Sequence, residues 1–345
     1  MSDARILVVG AGAIGGVTAA HLARAGRDVT VLDANAEHVR LMNSPGLTFD
    51  ELGETSQVKI TAVDGPAGLT GRFDFALVAL KAPYLESALR PLVEGDLVDT
   101  YVSLGNGLVQ TTIQQIVGTE RFVVGITEWG ATNVGPGHVA QTTVAPFVIG
   151  EVDGTLTARL ETLRDVLSAA AEVQVCTDVM NQVWTKLLLN STFSGLAGVS
   201  AMLYGEIAAD PLGRTMAYHL WTESYDVARA AGFSVGPLVG IEPRDLVVRS
   251  AADLARADAA LEVLMNKLGA TKASMLQDLE RGATTEVDVI NGGVCSTAAK
   301  AGVASPFNAR IVELVHECEQ GLRSPGRETL EALAQISAQR QGVNS

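Results

Sequence analysis

The chain has 345 residues, of which 47% are hydrophobic and 19% are charged. This balance excludes a disordered or collagen-like protein and is typical of a globular one. The length predicts about two domains. Acidic residues outnumber basic ones by 39 to 25, which gives a net charge of −14. Because no basic patch stands out, we expect no nucleic-acid partner and no anionic membrane partner.

The cysteines and the apolar segments indicate the cellular setting. Cys176, Cys295 and Cys318 are far apart and odd in number, without a Cys/His cluster. This predicts a reducing, cytoplasmic location and no metal site. The apolar stretch at 6–20 is interrupted by glycines and lacks a basic leader, so we interpret it as part of the fold rather than as a targeting signal. No other stretch approaches the roughly 20 apolar residues of a membrane span.

Short apolar runs alternate with helical or turn segments in the first half of the chain. The predicted strands are residues 5–9, 28–32, 58–63, 73–80, 97–104 and 122–127. The run at 75–80 is apolar at successive positions, which is typical of a strand covered on both faces. The first half therefore predicts a layered α/β sheet.

The second half has a different texture, rich in Ala, Leu, Glu and Arg with a 3.6-residue period. It predicts an all-helical domain in which residues 246–268 form one long helix and residues 270–281 continue or neighbour it. Thr177 and Asp178 are candidate N-caps for the helix that carries Trp184 and Lys186. We therefore predict an α/β domain over residues 1–178 and a helical domain over residues 179–338.

A glycine-rich turn, Gly10-x-Gly12-x-x-Gly15, follows the first predicted strand and opens a helix. Gly10 permits the tight turn, Gly12 lets backbone amides approach a pyrophosphate, and Gly15 lets the helix pack against the sheet. The turn predicts dinucleotide binding. The expected coenzyme-binding residues here are Gly10, Gly12, Ala13, Ile14 and Gly15.

An acidic residue follows the second predicted strand. Asp33 lies 18 residues beyond Gly15, where a carboxylate can accept hydrogen bonds from the adenosine ribose. A carboxylate there repels the 2′-phosphate of NADP, so the sequence predicts a preference for NAD(H). His38 and Arg40 follow closely and could hold a phosphate, which keeps NADP(H) open as a coenzyme.

Two polar residues follow later strands, where ligands of doubly wound sheets bind. Lys81 follows the run at 73–80, and Asn106 lies between Gly105 and Gly107 after the run at 97–104. Each is a candidate ligand contact. A solvated lysine and a turn asparagine are the alternatives.

Polar residues also recur at helical spacing in the second half. Lys186, Asn190 and Ser194 are spaced i, i+4, i+8, which places them on one face of a regular helix. Ser274 and Asp278 form a second pair, with Glu286 following. The alternatives are a solvent-facing stripe for the first group and a helix cap for Glu286.

Together these residues resemble the ketopantoate reductase (2-dehydropantoate 2-reductase) family. The resemblance follows the family's order from residue 5 to about 320, and its later block is distinctive. The matching pieces are Gly10-x-Gly12-x-x-Gly15, Lys81-Ala-Pro-Tyr84, Asn106-Gly107, Trp184-x-Lys186-x-x-x-Asn190, Ser274-Met-Leu-Gln-Asp278 and Thr285-Glu286-Val-Asp288-x-Ile-Asn-Gly292.

The resemblance implies a doubly wound Rossmann domain and an all-α C-terminal domain similar to that of 6-phosphogluconate dehydrogenases, with the site in the cleft between them. It implies hydride transfer between a nicotinamide and a 2-oxo acid, and a homodimer formed through the helical domain. By the same similarity Lys186 is the acid that protonates the nascent alkoxide, and Glu286 is its electrostatic or proton partner. The implied substrate anchors are Asn106, Asn190 and Ser274, with Asp278 as a further contributor and Lys81 near the nicotinamide.

The chain departs from the family pattern at two positions. Asp33 stands where members that use NADPH commonly have a basic residue, and Ser194 stands where many have a second Asn. Ser194 is therefore a candidate substrate residue, and we predict a changed or broader substrate. The leading hypothesis is an NAD(H)-preferring 2-oxo acid reductase or 2-hydroxy acid dehydrogenase.

Two alternatives remain at this point. One is a dehydrogenase of another secondary alcohol or imine, outside pantothenate biosynthesis. The other is a non-catalytic dinucleotide sensor, against which the Lys186 and Asn190 pair argues, since a sensor needs no proton donor.

Overall fold

A computed structural model describes residues 4–343, with side-chain exposure described up to residue 336. The chain divides into two compact units, Met1–Val179 and Met180–Ser345, called here the first unit and the helical unit. The strands, all in the first unit, are β1 Ile6–Val9, β2 Val29–Leu32, β3 Leu47–Glu51, β4 Glu54–Val58, β5 Thr61–Val63, β6 Phe73–Val78, β7 Val98–Ser103, β8 Phe122–Thr127, β9 Ala131–Gly135, β10 His138–Gln141, β11 Phe147–Gly150 and β12 Val173–Val175.

The helices differ in number and length between the two units. Those of the first unit are α1 Ala13–Arg24, α2 Ala36–Asn43, α3 Leu85–Glu94, α4 Val109–Val117 and α5 Ala158–Leu167. The later ones are α6 Val179–Leu189, α7 Gly195–Ser200, α8 Tyr204–Ala209, α9 Pro211–Ala230, α10 Leu254–Leu268, α11 Ser274–Glu280, α12 Val287–Ala301, α13 Pro306–Glu319 and α14 Arg327–Val343. A π-helical turn, Asn190–Ser194, joins α6 to α7.

The main sheet of the described chain has eight strands in the order β12-β11-β8-β7-β6-β1-β2-β5. From β5 to β8 all neighbours are parallel, with Ile6 of β1 opposite Val29 of β2 and Phe75 of β6. This is the order of a doubly wound dinucleotide-binding sheet, and it reverses direction between β1 and β6. The prediction of a Rossmann fold is confirmed.

Burial explains why these strands were visible in the sequence. Every residue of β1 is at most 1% exposed, and Ala76 to Val78 of β6 are completely buried. Layers of helix cover both faces of a parallel sheet, so its central strands are apolar at every position. The prediction that residues 75–80 form such a strand is confirmed for β6, which ends at Val78.

A second sheet, which the sequence did not reveal, has the order β4-β3-β10-β9. Its short strands carry exposed polar residues, and its buried side chains include Phe49 and Val139. Gly16 of α1 lies against Val139, where an added Cβ would come within 2.8 Å of the valine side chain. This sheet therefore packs close to the helix that follows the glycine-rich turn.

The helical unit has a core centred on large aromatic side chains, including Trp184, Phe193 and Trp221. The prediction of an all-α second half is confirmed, but the single helix over residues 246–268 is wrong, since α10 begins at Leu254. The Asp253 carboxylate accepts the backbone N–H groups of Arg249 and Ser250. These bonds to a side chain replace helical backbone hydrogen bonds in residues 249–253, so the helix starts only after them.

Within the described residues, no helix is both long and apolar enough to cross a membrane.

Candidate functional site

The glycine-rich turn lies at the point where the sheet reverses direction. Gly10 has φ +88°, and a Cβ there would come within 2.5 Å of the Leu80 side chain. At Gly15 a Cβ would lie 1.9 Å from the carbonyl oxygen of Gly10, so only glycine lets α1 approach the turn this closely. These two positions have the conformational roles that the motif predicts.

Gly12 differs from these two glycines because it faces open space. Apart from Gly12 itself and the backbone next to it in the chain, no heavy atom of the described residues lies within 4 Å of the place where its Cβ would be. Gly12 is also the N-cap of α1, it has no side chain to cap the helix, and the first turn contains no acidic residue. Ala13 and Ile14 are the half-buried first residues of that helix. Free space beside a helix N-terminus that has no carboxylate fits the pyrophosphate of a dinucleotide.

Asp33 and His38 both bind the backbone of Ala11: Asp33 accepts its N–H, and His38 contacts its carbonyl. The Asp33 carboxylate accepts the N–H groups of Ala11 at 2.8 Å and Asn35 at 2.9 Å. The His38 ring lies 2.8 Å from the Ala11 carbonyl through Nε2, and its Nδ1 accepts the Gly137 N–H at 2.7 Å. His38 therefore carries its proton on Nε2 and donates it to Ala11. The turn is therefore fixed relative to Asp33, the residue that the sequence predicts to face the ribose.

These bonds alter one expectation about coenzyme choice. His38 is 3% exposed, and both of its ring nitrogens bind backbone groups. It is thus committed to the turn and does not offer a donor to a 2′-phosphate. Arg40, which is exposed, remains the basic residue near Asp33.

Lys81 and Asn106 follow neighbouring parallel strands at the same edge of the sheet. Lys81 precedes the short 3₁₀ turn Ala82–Tyr84 after β6, and Asn106 lies in the turn between β7 and α4. Both are half-buried. A Cβ at Gly105 would lie 3.4 Å from the Leu80 carbonyl, so the two turns are close neighbours. The structure brings these residues to the edge that also carries the glycine-rich turn.

In the helical unit, Lys186 lies on α6, and other residues of this helix contact the segment at 233–236. Trp184 stacks on Phe233 with ring centroids 5.2 Å apart. Thr185 Oγ1 accepts the N–H of Gly236, and Asn181 Oδ1 accepts that of Ser234. These contacts leave Lys186 half-buried on a helix whose orientation is fixed.

The face expected from Lys186 through Asn190 to Ser194 is regular only over its first interval. The α-helix ends at Leu189, and residues 190–194 form the π-helical turn. The expected regular α-helix therefore does not continue through Ser194, because a π-turn changes the rotation per residue. Asn190 is half-buried, whereas Ser194 is 2% exposed.

Ser274 and Asp278 lie on α11, which packs against α7 and the π-turn. Ser274 is the exposed first residue of this helix and Asp278 is half-buried. Met275, between them, lies against α7, where a Cβ on Gly198 would be 3.0 Å from its sulfur. The predicted second polar pair is thus next to the π-turn that follows Lys186.

Glu286 is the half-buried N-cap residue of α12, and a chain of charged groups fixes the backbone beside it. The Thr285 N–H donates to Glu319, which contacts His316 at 2.8 Å, and the other His316 nitrogen lies 2.9 Å from Asp288. Burial lowers the pKa of His316, but its bonds to Glu319 and Asp288 outweigh this and raise it above the ordinary value. Burial raises the pKa of Glu319, and the Thr285 and His316 bonds reverse this to a net lowering.

Comparison with known proteins identifies the family. The model described as ketopantoate reductase PanE/ApbA matches residues 6–154, and its C-terminal counterpart matches residues 178–319. The chain belongs to the ketopantoate reductase family. The resemblance found in the sequence is therefore confirmed. Membership makes the protein an oxidoreductase and supports reduction of a 2-oxo acid.

Relatives within this family are similar over almost their whole length. A 2-dehydropantoate 2-reductase of Mesorhizobium japonicum is 30% identical over 339 residues, covering 90% of this chain and 96% of the relative. One from Archaeoglobus fulgidus is 28% identical over 321 residues, covering 92% and 99%. A solved complex of D-mandelate dehydrogenase with NADH is 25% identical with a TM-score of 0.74, covering 92% of this chain and 99% of that one.

Three buried polar residues hold backbone next to candidate site residues or within the helical unit. The sequence offers His38 only as a possible phosphate ligand and Asn291 only as part of a motif, and it gives no signal for Glu223. Glu223 accepts the N–H groups of Phe307 and Asn308. Their partners are remote in sequence, so no local pattern could have revealed them.

Proposed function

We propose that the protein is a nicotinamide-dependent reductase that converts a 2-oxo acid to a 2-hydroxy acid, or the reverse. The observation that carries this proposal is that both family models match the chain, and that their ranges include the glycine-rich turn and the segment from Lys186 to Asn190. The first unit contributes coenzyme binding and the helical unit contributes proton transfer. When bound, the nicotinamide supplies or takes up the hydride.

Lys186 is the general acid of the proposed reduction. A ketone that receives a hydride develops negative charge on oxygen, which an ammonium group stabilises before it gives up its proton. In the reverse direction the neutral amine takes the hydroxyl proton. Glu286 is the electrostatic or proton partner of Lys186. The proposed substrate contacts are Asn106, Asn190, Ser194, Ser274 and Asp278.

The proposed coenzyme is NAD(H), bound by Gly10, Gly12, Ala13, Ile14, Gly15, Asp33, Lys81 and Asn106. Asp33 supports this preference because its carboxylate is held in place by the Ala11 and Asn35 N–H groups. A fixed negative charge beside the ribose favours a hydroxyl donor over a second phosphate. NADP(H) is the weaker coenzyme under this proposal.

A second candidate substrate is an aryl 2-oxo acid instead of ketopantoate. The likeness to D-mandelate dehydrogenase with NADH favours it, because mandelate is an aryl 2-hydroxy acid. Ser194 in place of an amide also changes the polar groups available in this segment. A different secondary alcohol or an imine, outside pantothenate synthesis, is the further alternative.

We also propose that residues 1–178 and 179–338 act as coenzyme-binding and substrate or dimerisation domains of a cytoplasmic homodimer. The family resemblance supports the dimer. The free thiols Cys176, Cys295 and Cys318 support a reducing compartment.

The test is steady-state oxidation of NADH and of NADPH, in parallel, with ketopantoate and with the 2-oxo acid of mandelate. We expect turnover with at least one acid and a higher kcat/KM for NADH than for NADPH. The Lys186→Met variant is the blank, since its background rate measures uncatalysed oxidation. Turnover of neither acid, with NADH still bound, would redirect the search to other alcohols and imines. Failure to bind either coenzyme would overturn the proposal.

A further inference from the structure

The segment after Lys186 has a different hydrogen-bond register from a regular helix. At the end of the π-turn the Gly195 N–H donates to the Asn190 carbonyl, five residues earlier. In an α-helix the same N–H would donate to Ser191, four residues earlier. The extra residue changes the rotation about the helix axis from the peptide between Asn190 and Ser191 onward. The turn therefore decides how Asn190 and Ser194 face relative to each other.

Asn291 of α12 donates a hydrogen bond to the Ser191 carbonyl, the one that the Gly195 N–H would contact in an α-helix. Its Nδ2 donates to the Ser191 carbonyl at 2.7 Å and to Asn308 Oδ1 at 2.9 Å. Both acceptors are oxygens, so the amide nitrogen must face them. Asn291 and Asn308 are completely buried, which strengthens both bonds relative to bonds in water.

Two details indicate that position 291 requires the hydrogen-bond donor of an asparagine and not only a side chain of its shape. Within the described residues, Asn291 Oδ1 is buried without a hydrogen-bond partner, which an apolar side chain of the same shape would avoid. Gly195 also leaves room for the amide, since a Cβ there would lie 3.0 Å from Oδ1 and 3.1 Å from Nδ2. The π-turn and the Asn291 amide are fitted to each other.

A buried network fixes the direction of this amide. Asn308 Nδ2 donates to Glu223 at 2.8 Å and to Ser224 Oγ at 3.2 Å, so its Oδ1 is held towards Asn291. Glu223 further accepts the N–H groups of Phe307 and Asn308 at the start of α13. Ser191 Oγ donates to Ser224, which closes the network on the π-turn. Three helices thus hold one short turn.

We propose that Asn291 is a positioning residue of the reductase: it holds the Ser191 carbonyl in the π-turn and thereby orients Asn190 as a substrate anchor. This proposal rests on the proposed function. Asn291 itself needs no contact with substrate or coenzyme. Its effect passes through Asn190, one turn beyond Lys186.

The test compares Asn291→Leu, which keeps the side-chain shape and removes the donor, with Ser224→Ala. The alanine variant removes two hydrogen bonds from the same buried network, those from Ser191 Oγ and Asn308 Nδ2, but leaves the bond between Asn291 and the Ser191 carbonyl. For Asn291→Leu we expect faster amide hydrogen exchange at residues 190–195 and an increase of about 10- to 100-fold in the KM of the 2-oxo acid. The KM of NADH should change less than about twofold. Ser224→Ala should raise the KM of the acid less than Asn291→Leu does, because the bond from Asn291 to the Ser191 carbonyl remains.

A double variant tests the route through Asn190. In the background of Asn190→Ala, adding Asn291→Leu should change the KM of the acid by less than about twofold. If Asn291→Leu does not fold, Gly195→Ala replaces it, because its Cβ presses on the Asn291 amide, and we expect a smaller change in the same direction.

Multiplicative effects in the double variant, or an equal KM increase in Ser224→Ala, would overturn the positioning role. If the unmodified enzyme reduces no 2-oxo acid, the proposed function fails. The exchange measurement still decides whether Asn291 holds the turn.

Discussion

The glycine-rich turn and the π-turn are both tight backbone features next to candidate site residues, but they are stabilised over very different sequence distances. Gly10 and Gly15 contact each other within six consecutive residues, and Asp33 reaches Ala11 across 22 positions. Asn291 reaches Ser191 across 100 positions, and Asn308 reaches Glu223 across 85. A coenzyme turn of the first kind can be recognised from a short motif. A turn of the second kind depends on residues that no local motif contains.

The substitution with the largest expected effect separates the proton transfer proposed for the helical unit from the coenzyme binding proposed for the first unit. Lys186→Met should lower kcat by about 10²- to 10⁴-fold, because it removes the proposed proton donor. The NADH dissociation constant, measured by fluorescence titration, should stay the same. Lys272→Met is the control, since Lys272 is an exposed residue paired with Glu280, and it should leave kcat unchanged. A Lys186 variant with full turnover would remove this residue from the mechanism.

Gly15 and Gly12 test the local turn. Gly15→Ala places a Cβ 1.9 Å from the Gly10 carbonyl, so we expect a loss of more than about 3 kcal/mol of unfolding free energy, measured by urea denaturation. Gly12→Ala faces open space and should keep its stability within about 0.5 kcal/mol. It should nevertheless weaken NADH binding, because the methyl group takes the space proposed for the pyrophosphate. Equal stability of the two variants would contradict the packing argument.

Asp33→Asn sharpens the same comparison at the ribose. The single amide oxygen can still accept the Ala11 N–H, whereas the bond from the exposed Asn35 N–H and the negative charge are lost. The ratio of kcat/KM for NADH to that for NADPH should fall about tenfold, the size of one charged hydrogen bond. Parallel assays with both coenzymes measure it. A ratio unchanged by this substitution would mean that Asp33 acts on the turn alone.

The smallest expected effect is the pH dependence of the His316 chain. The pKa of His316 is raised by Glu319 and Asp288, so its stabilisation is complete below the ordinary value of 6.5 and is lost as pH rises through the folded value. The pKa of Glu319 is lowered, so its contribution is complete above 4.5 and is lost as pH falls through the folded value.

His316→Gln should therefore be less stable than the unmodified protein at about pH 6, by under about 1 kcal/mol because these groups are partly exposed. The difference should shrink at about pH 9 and in high salt. Urea denaturation at both pH values measures it. A difference that grows with pH would reverse the assigned direction.

The strands that could be predicted from the sequence are those buried on both faces, because burial requires apolar residues at successive positions. β1 and residues 75–78 of β6 are apolar at successive positions because the parallel sheet is covered on both faces. The β3, β4, β9 and β10 strands escaped because they are short and partly exposed. Residues 246–253 have the apolar spacing of a helix, but the Asp253 carboxylate accepts the N–H groups of Arg249 and Ser250. Hydrophobic spacing alone does not reveal that a side chain replaces the helical hydrogen bonds there.

The candidate site divides in the same way. Gly10, Gly15 and Asp33 lie where the motif predicts, since their contacts are with nearby segments. The regular α-helix expected through Lys186, Asn190 and Ser194 ends before Asn190, where a π-turn begins. The Asn291 amide that contacts this turn lies 100 positions away in the sequence, so no local pattern indicates it. Residue types indicated the chemistry, and the directions of the side chains required the tertiary structure.

The hydrogen bonds that link Asp33 and His38 to the Ala11 backbone limit how the coenzyme preference of this protein can be changed by design. An arginine at position 33, chosen to bind a 2′-phosphate, would also delete the acceptor that fixes the Ala11 N–H. His38 would then hold that peptide by its carbonyl alone. An engineered switch to NADPH therefore needs a second substitution that returns an acceptor to Ala11, and variants selected at position 33 alone should trade coenzyme affinity for the new preference.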